Sequence, residues 1–228
     1  MSQPSTTLAE PAPRSRREPR WPAMLAIFLV LVLLELMSSR IALFPGWVPW
    51  TLGFGMFITV FLVALASDQT RWLPLERAVT YVFCGIGTIG TVANLTNLVS
   101  LMVNGGQTIA GQQLLASSIA VWLTNVLSFS LLYWQVDRGG PGLRGGGGQP
   151  RPDFLFPQEG APAEDVPPGW RPVYVDYLFL AFWTATAFSP TDALPLTSRA
   201  KLLMMAESSI SLSTIIVVAS RAINILGA

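Results

Sequence analysis

Long unbroken apolar runs constrain this chain more than any other feature. Four of them, at about 21–39, 48–67, 78–103 and 113–135, match the roughly 20 residues an α-helix needs to cross a hydrocarbon core. The links between them are short and turn-like. Arg40 to Trp47 contains Pro45-Gly46, Asp68 to Arg77 contains Pro74, and Asn104 to Gln112 contains Gly105-Gly106. Short links make consecutive helices antiparallel neighbours. Trp21, Trp47, Trp50, Trp72, Trp134, Trp170 and Trp183 mostly fall near the expected ends of segments, as in an interfacial aromatic belt. The expected fold is therefore all-α, a polytopic transmembrane helix bundle, with the lipid bilayer as its main partner.

Composition agrees. Charged residues make up 12% of the chain and hydrophobic ones 51%, against about 25% charged in soluble domains. The net charge of +1 gives no basis for a nucleic-acid partner. There is no histidine and a single cysteine, Cys84. The commonest general base and metal ligand is thus missing, and an intrachain disulfide cannot form. No catalytic residue, metal site or cofactor is expected, and the chain does not read as an enzyme.

The remaining segments divide the chain. Residues 1–20 are polar and rich in Ser, Pro and Arg, and are expected to form a disordered cytoplasmic tail. A signal peptide is the competing reading, but the apolar run that follows is long for one and no cleavage site clearly follows it. Residues 21–136 form the four-helix region. Residues 137–172 are rich in Gly and Pro and are expected to be a flexible polar loop. Residues 173–228 then hold a short apolar stretch, 174–189, the breaker Ser189-Pro190-Thr191-Asp192, and a long apolar run, 198–226. The short stretch would measure about 24 Å as a helix, less than the roughly 30 Å core. Five spanning helices plus a re-entrant half-helix are expected, or six spanning helices if 174–189 crosses.

Basic residues set the orientation. Arg14, Arg16, Arg17 and Arg20 precede the first helix, Arg71 and Arg77 lie in the second link, and Arg138, Arg144, Arg151 and Arg171 lie in the Gly/Pro-rich loop. Alternate crossings put all of these on one side, with Arg40 opposite. The N-terminus is expected in the cytoplasm of a bacterium, with the chain in the plasma (inner) membrane.

Polar residues inside the apolar runs are the candidate functional positions. The third run carries Thr80, Thr88, Thr91, Asn94, Asn97 and Ser100 at near-helical spacing. Such a face meets another helix or water, because an unpaired amide in lipid is costly. Gly85, Gly87 and Gly90 spell G-x-G-x-x-G, but within an apolar run they fit close helix packing better than nucleotide binding. Glu35 lies toward the outer end of the first run. Glu207, Ser211, Thr214, Val218 and Arg221 share a face of the last, with Val218 an apolar break. Carboxylates at membrane depth are functional candidates by default.

The order from Tyr174 to Leu226, a short aromatic helix, a breaker, an acidic residue, Pro195, Thr197, Arg199 and a long helix, resembles the pore-loop half of potassium-channel-like domains. Thr186-Ala187-Phe188-Ser189-Pro190-Thr191-Asp192 stands at the filter position without the filter glycines, so potassium selectivity is not implied. Over nearly its whole length the chain is also similar to a family of bacterial multi-spanning proteins of unknown function. Pro152-Asp153-Phe154, Asp176-Tyr177-Leu178-Phe179 and Thr197-Ser198-Arg199 carry that likeness.

Together these readings give the expected function, a channel-like or transport protein for a small ion or solute. The pore-loop likeness implies that Thr186, Ser189, Thr191 and Asp192 contact the permeant, while Glu207, Ser211 and Thr214 line its path. Glu35, Thr91, Asn94 and Asn97 are further intramembrane candidates. A homo-oligomer is expected, since one hairpin supplies only part of a filter. Two alternatives stand beside this reading: a structural or accessory membrane subunit without transport, and a membrane-embedded enzyme using Asp176, Asp192 and Glu207.

Overall fold

The computed structural model describes residues 18–36, 47–65, 72–103, 111–144, 150–186 and 193–226. Over these residues the chain is all-α apart from two short paired strands. The helices are α1 (Trp21–Leu36), α2 (Trp47–Leu65), α3 (Leu73–Val103), α4 (Gly111–Val136), α5 (Tyr174–Thr186) and α6 (Ser198–Leu226). Three segments, Leu73–Asn97, Leu115–Gly139 and Ser198–Ser220, are long and apolar enough to cross a membrane, and Trp21–Leu34 and Gly53–Val63 are shorter apolar stretches.

The bundle is apolar outside and polar within. Phe54 and Leu65 are about two-thirds exposed, and Phe28, Phe61, Val82, Ile89, Phe182, Leu212 and Ile216 also face outward. Thr80, Thr91, Asn94, Thr124, Asn125, Ser128, Ser211 and Glu207 are buried. Large apolar faces of this kind are unfavourable in water and suited to lipid. The chain is an all-α membrane protein.

The central element is α4, which packs against α1, α3, α5 and α6. Its C-terminal end meets the starts of α1, α3 and α5 directly and that of α6 through Asp153. Arg77 in the first turn of α3 donates to the Gly139 carbonyl. Glu18, just before α1, accepts from the Trp134 indole at 2.5 Å. Tyr177 near the start of α5 donates to Asp137 at 2.6 Å. Thus α1, α3, α5 and α6 set out from the end at which α4 finishes, and α2 packs between α1 and α3.

That end is closed by a polar cap. Arg138, Gly139 and Gly140 all have positive φ (53°, 73° and 94°), which turns the chain sharply out of α4. Two of the three being glycine limits the steric strain. The turn leaves Asp137 fully buried, accepting from the backbone of Asp153 (2.7 Å) and Phe154 (3.3 Å) as well as from Tyr177. Asp153, also fully buried, takes both arms of Arg199 (2.6 and 2.5 Å) and the Thr197 hydroxyl (2.6 Å). The same Thr197 hydroxyl accepts from the Ala200 N–H and so caps α6. Arg144 lies 4.9 Å over the Tyr177 ring, donates to the carbonyls of Trp134 and Asp137, and pairs with Glu18 at 3.0 Å. Arg20 grips the buried Glu76 of α3 with two bonds. Strand β1 (Phe154–Leu155) pairs antiparallel with β2 (Leu194–Pro195), with Phe154 opposite Pro195.

Two stretches expected to be loose place residues at the cap. Within 137–172, Asp137, Arg144, Asp153, Phe154 and Phe156 are buried at the cap, while most of 157–169 is exposed. Phe154 packs edge-on against Tyr133, and Phe156 against Tyr177 and Trp170. Gly and Pro exclude long helices there, but they leave tertiary anchoring through Asp153 and the aromatics open. The tail expected to be disordered through residue 20 is docked at its last three residues by Glu18 and Arg20. Residues 1–17 lie outside the described residues.

Candidate functional site

Below the cap, α4 and α6 face each other through polar side chains. Glu207 is fully buried and takes a hydrogen bond from the Tyr133 hydroxyl on its Oε2. Asn125 donates its amide to the Glu207 carbonyl at 3.3 Å. Ser211 follows Glu207 by one turn on the same face of α6 and is also fully buried. On the side of α4 toward α3, a Cβ on Gly87 would sit 3.5 Å from the Ser128 hydroxyl, so the two helices approach closely there. The packing reading of that glycine holds at Gly87.

Among the described residues, five oxygens of this seam have no hydrogen-bond partner: Glu207 Oε1, Ser211 Oγ, Asn125 Oδ1, Ser128 Oγ and Thr124 Oγ1. Thr88 Oγ1 on α3 joins them. Buried polar atoms are paired in the great majority of cases, and each exception asks for an explanation. The first turns of α3 and α6 carry Arg77, Arg199 and Lys201, all at the cap end. Lys201 is six residues from Glu207, about 9 Å along the helix. Glu207 therefore has a hydroxyl partner but no cation beside it among the described residues.

The end of α5 reaches the same depth. Ser208 donates to the Thr184 carbonyl at 3.3 Å, and Thr184 lies beside the Tyr133 hydroxyl. Helix α5 runs parallel to α6, and its 13 residues span about 20 Å. Its last described turn, with Thr184, thus lies near Glu207. The chain is back at the cap by Leu194–Pro195, where it pairs with β1.

The sequence-derived candidates separate into groups. Glu207 and Ser211 lie in the seam and carry unpartnered oxygens. Thr91 and Thr214 are buried, but each hydroxyl bonds its own helix at the carbonyl four residues back, Gly87 and Ile210 respectively. Asn94 is buried and Asn97 half-buried on α3, and both make polar interactions. Thr186 closes α5 and bonds the Trp183 carbonyl at 3.0 Å. Ser189, Thr191 and Asp192 lie outside the described residues, as does the side chain of Glu35. Asp176 accepts from the Val173 N–H at the start of α5, about 12 Å along the axis from the level of Glu207; it is not brought together with Glu207.

Sequence reasoning missed the α4 half of the seam: Thr124, Asn125, Ser128 and Tyr133. The signal was present. Ser117, Thr124, Ser128 and Gln135 recur at three- to four-residue multiples within a run otherwise read as apolar. No family model, curated protein or solved structure matches the chain.

Proposed function

We propose that the chain is a channel-like or transport protein that moves a small ion or solute along the seam between α3, α4 and α6. The observation that carries this reading is the fully buried Glu207, with one oxygen unpartnered amid the unpartnered Ser211, Asn125 and Ser128. Interhelical glue alone would be expected to pair these groups, since each unpaired polar atom in hydrocarbon is costly.

In this reading 174–195 is a re-entrant hairpin, and five helices span. The return of the chain to the cap and the 13-residue length of α5 support this. Half-helices that end inside the bilayer expose free backbone groups, and transport proteins use such ends to hold ions. The resemblance to pore-loop domains rests on the same arrangement. The cap is the cytoplasmic face of a bacterial plasma membrane, because Arg20, Arg77, Arg138, Arg144, Arg151, Arg171, Arg199 and Lys201 gather at that end or in its loop. A homo-oligomer would complete a pathway to which each chain gives one hairpin.

One observation favours an accessory role instead. Several buried hydroxyls, those of Thr80, Thr91, Thr184 and Thr214, bond back to their own helices and need nothing else. The test is flux from proteoliposomes holding the full chain, with small cations, anions and neutral solutes offered in turn. Flux of one class, lost in Glu207→Gln protein that inserts and melts normally, is expected. Absence of flux for every class would sink the transport reading and leave the accessory one.

A further inference from the structure

We propose that the seam holds a binding site for a monovalent alkali cation, formed around Glu207 Oε1, Ser211 Oγ, Asn125 Oδ1 and Ser128 Oγ. The site deepens the transport reading by naming the class of ion.

The first step concerns sign. The seam offers a carboxylate, hydroxyls and an amide oxygen. Asn125 already directs its N–H toward the Glu207 carbonyl, which leaves its oxygen as the free end. The basic side chains in the first turns of α3 and α6 lie at the cap, where Asp153 takes Arg199 and the Gly139 carbonyl takes Arg77. An anion would meet the Glu207 carboxyl and no compensating cation among the described residues. A cation meets a carboxyl group that can ionise to balance it, near the Thr184 carbonyl of α5, which accepts from Ser208.

The second step concerns valence and type. All the free atoms are hard oxygens, which suit alkali and alkaline-earth ions and not zinc or copper. Divalent sites usually gather more than one carboxylate. Among the described residues no group of three or more Asp, Glu, His or Cys side chains gathers anywhere. A single carboxylate balances a single positive charge, so the complex is neutral and inexpensive to keep in a lipid-surrounded interior.

The third step concerns geometry. Glu207 and Ser211 are one turn apart on α6, and Asn125 and Ser128 are within one turn on α4. The bond from the Asn125 amide to the Glu207 main-chain carbonyl holds α4 against α6 at this level. Gly87 lets α3 close the third side over Ser128. The Tyr133 hydroxyl holds the other carboxylate oxygen and so orients Oε1.

Equilibrium binding of radioactive sodium and of rubidium to the detergent-solubilised full chain tests the site, with a melting curve on each sample. Saturable binding of about one ion per chain is expected, competed by other alkali ions and not by calcium or magnesium. Glu207→Gln should weaken it at least about tenfold and Ser211→Ala by a smaller factor. Thr214→Val should leave it unchanged. Wild-type protein that melts cooperatively yet binds no alkali ion overturns the site, as does binding that survives Glu207→Gln or yields to calcium. Because the assay needs no transport, flux without binding would remove the site and keep the pathway, and binding without flux would do the reverse.

Discussion

The two polar regions of this molecule are built on opposite terms. At the cap, each buried carboxylate has a basic partner or a full set of donors. Glu76 has Arg20, Glu18 has Arg144, Asp153 has Arg199, and Asp137 has two backbone N–H groups and Tyr177. In the seam, Glu207 has one hydroxyl and a free oxygen. The cap's carboxylates are satisfied, although Arg77 Nε, Arg138 Nε and Gln135 Oε1 there are buried without hydrogen-bond partners. In the seam, by contrast, an oxygen of the carboxylate itself is left unpartnered. Paired carboxylates rigidify the structure, and a buried carboxylate oxygen left unpaired asks for an explanation.

Substitutions can sharpen or break that contrast. The largest stability loss is expected at Asp137→Ala, which strands two buried N–H groups and the Tyr177 hydroxyl. A loss of about 3–5 kcal/mol, read from the melting temperature in detergent, would mark the cap as the structural centre. Gly87→Leu should cost about 1–3 kcal/mol by forcing α3 away from Ser128, with Gly87→Ala close to neutral, since a lone Cβ there makes an ordinary contact. Glu207→Gln should change stability by no more than about 1 kcal/mol, because an amide still accepts from Tyr133, while flux falls to background. Thr91→Val and Thr214→Val should do least, under about 1 kcal/mol with flux intact, because these hydroxyls serve only their own helices. A large flux defect in either threonine variant would break the distinction between paired and unpaired groups.

The contrast also separates what was legible in the sequence from what was not. The all-α fold and its three long apolar helices were legible because apolar length alone marks such a helix. Glu207 and Ser211 stood out as a carboxylate and a hydroxyl one turn apart in an apolar run. Their α4 partners did not, because Thr124, Asn125 and Ser128 sit singly among Leu, Val and Phe, and only the antiparallel packing of α4 on α6 shows what they face. The cap was hidden by distance along the chain. Asp137 meets Phe154 across 17 residues, and Asp153 meets Arg199 across 46. Composition alone made the intervening Gly/Pro-rich stretch look free.

Access of water to the seam tests the central claim most directly. With Cys84 replaced by Ala, single cysteines at Ser211, in the seam, and at Leu212, on the outward face, would be exposed to a charged thiol reagent in membranes. Labelling at position 211 with position 212 inert is expected, and an alkali cation should slow it. Equal silence at both positions, in protein that inserts and melts normally, would contradict a hydrated pathway and make the seam a packing surface.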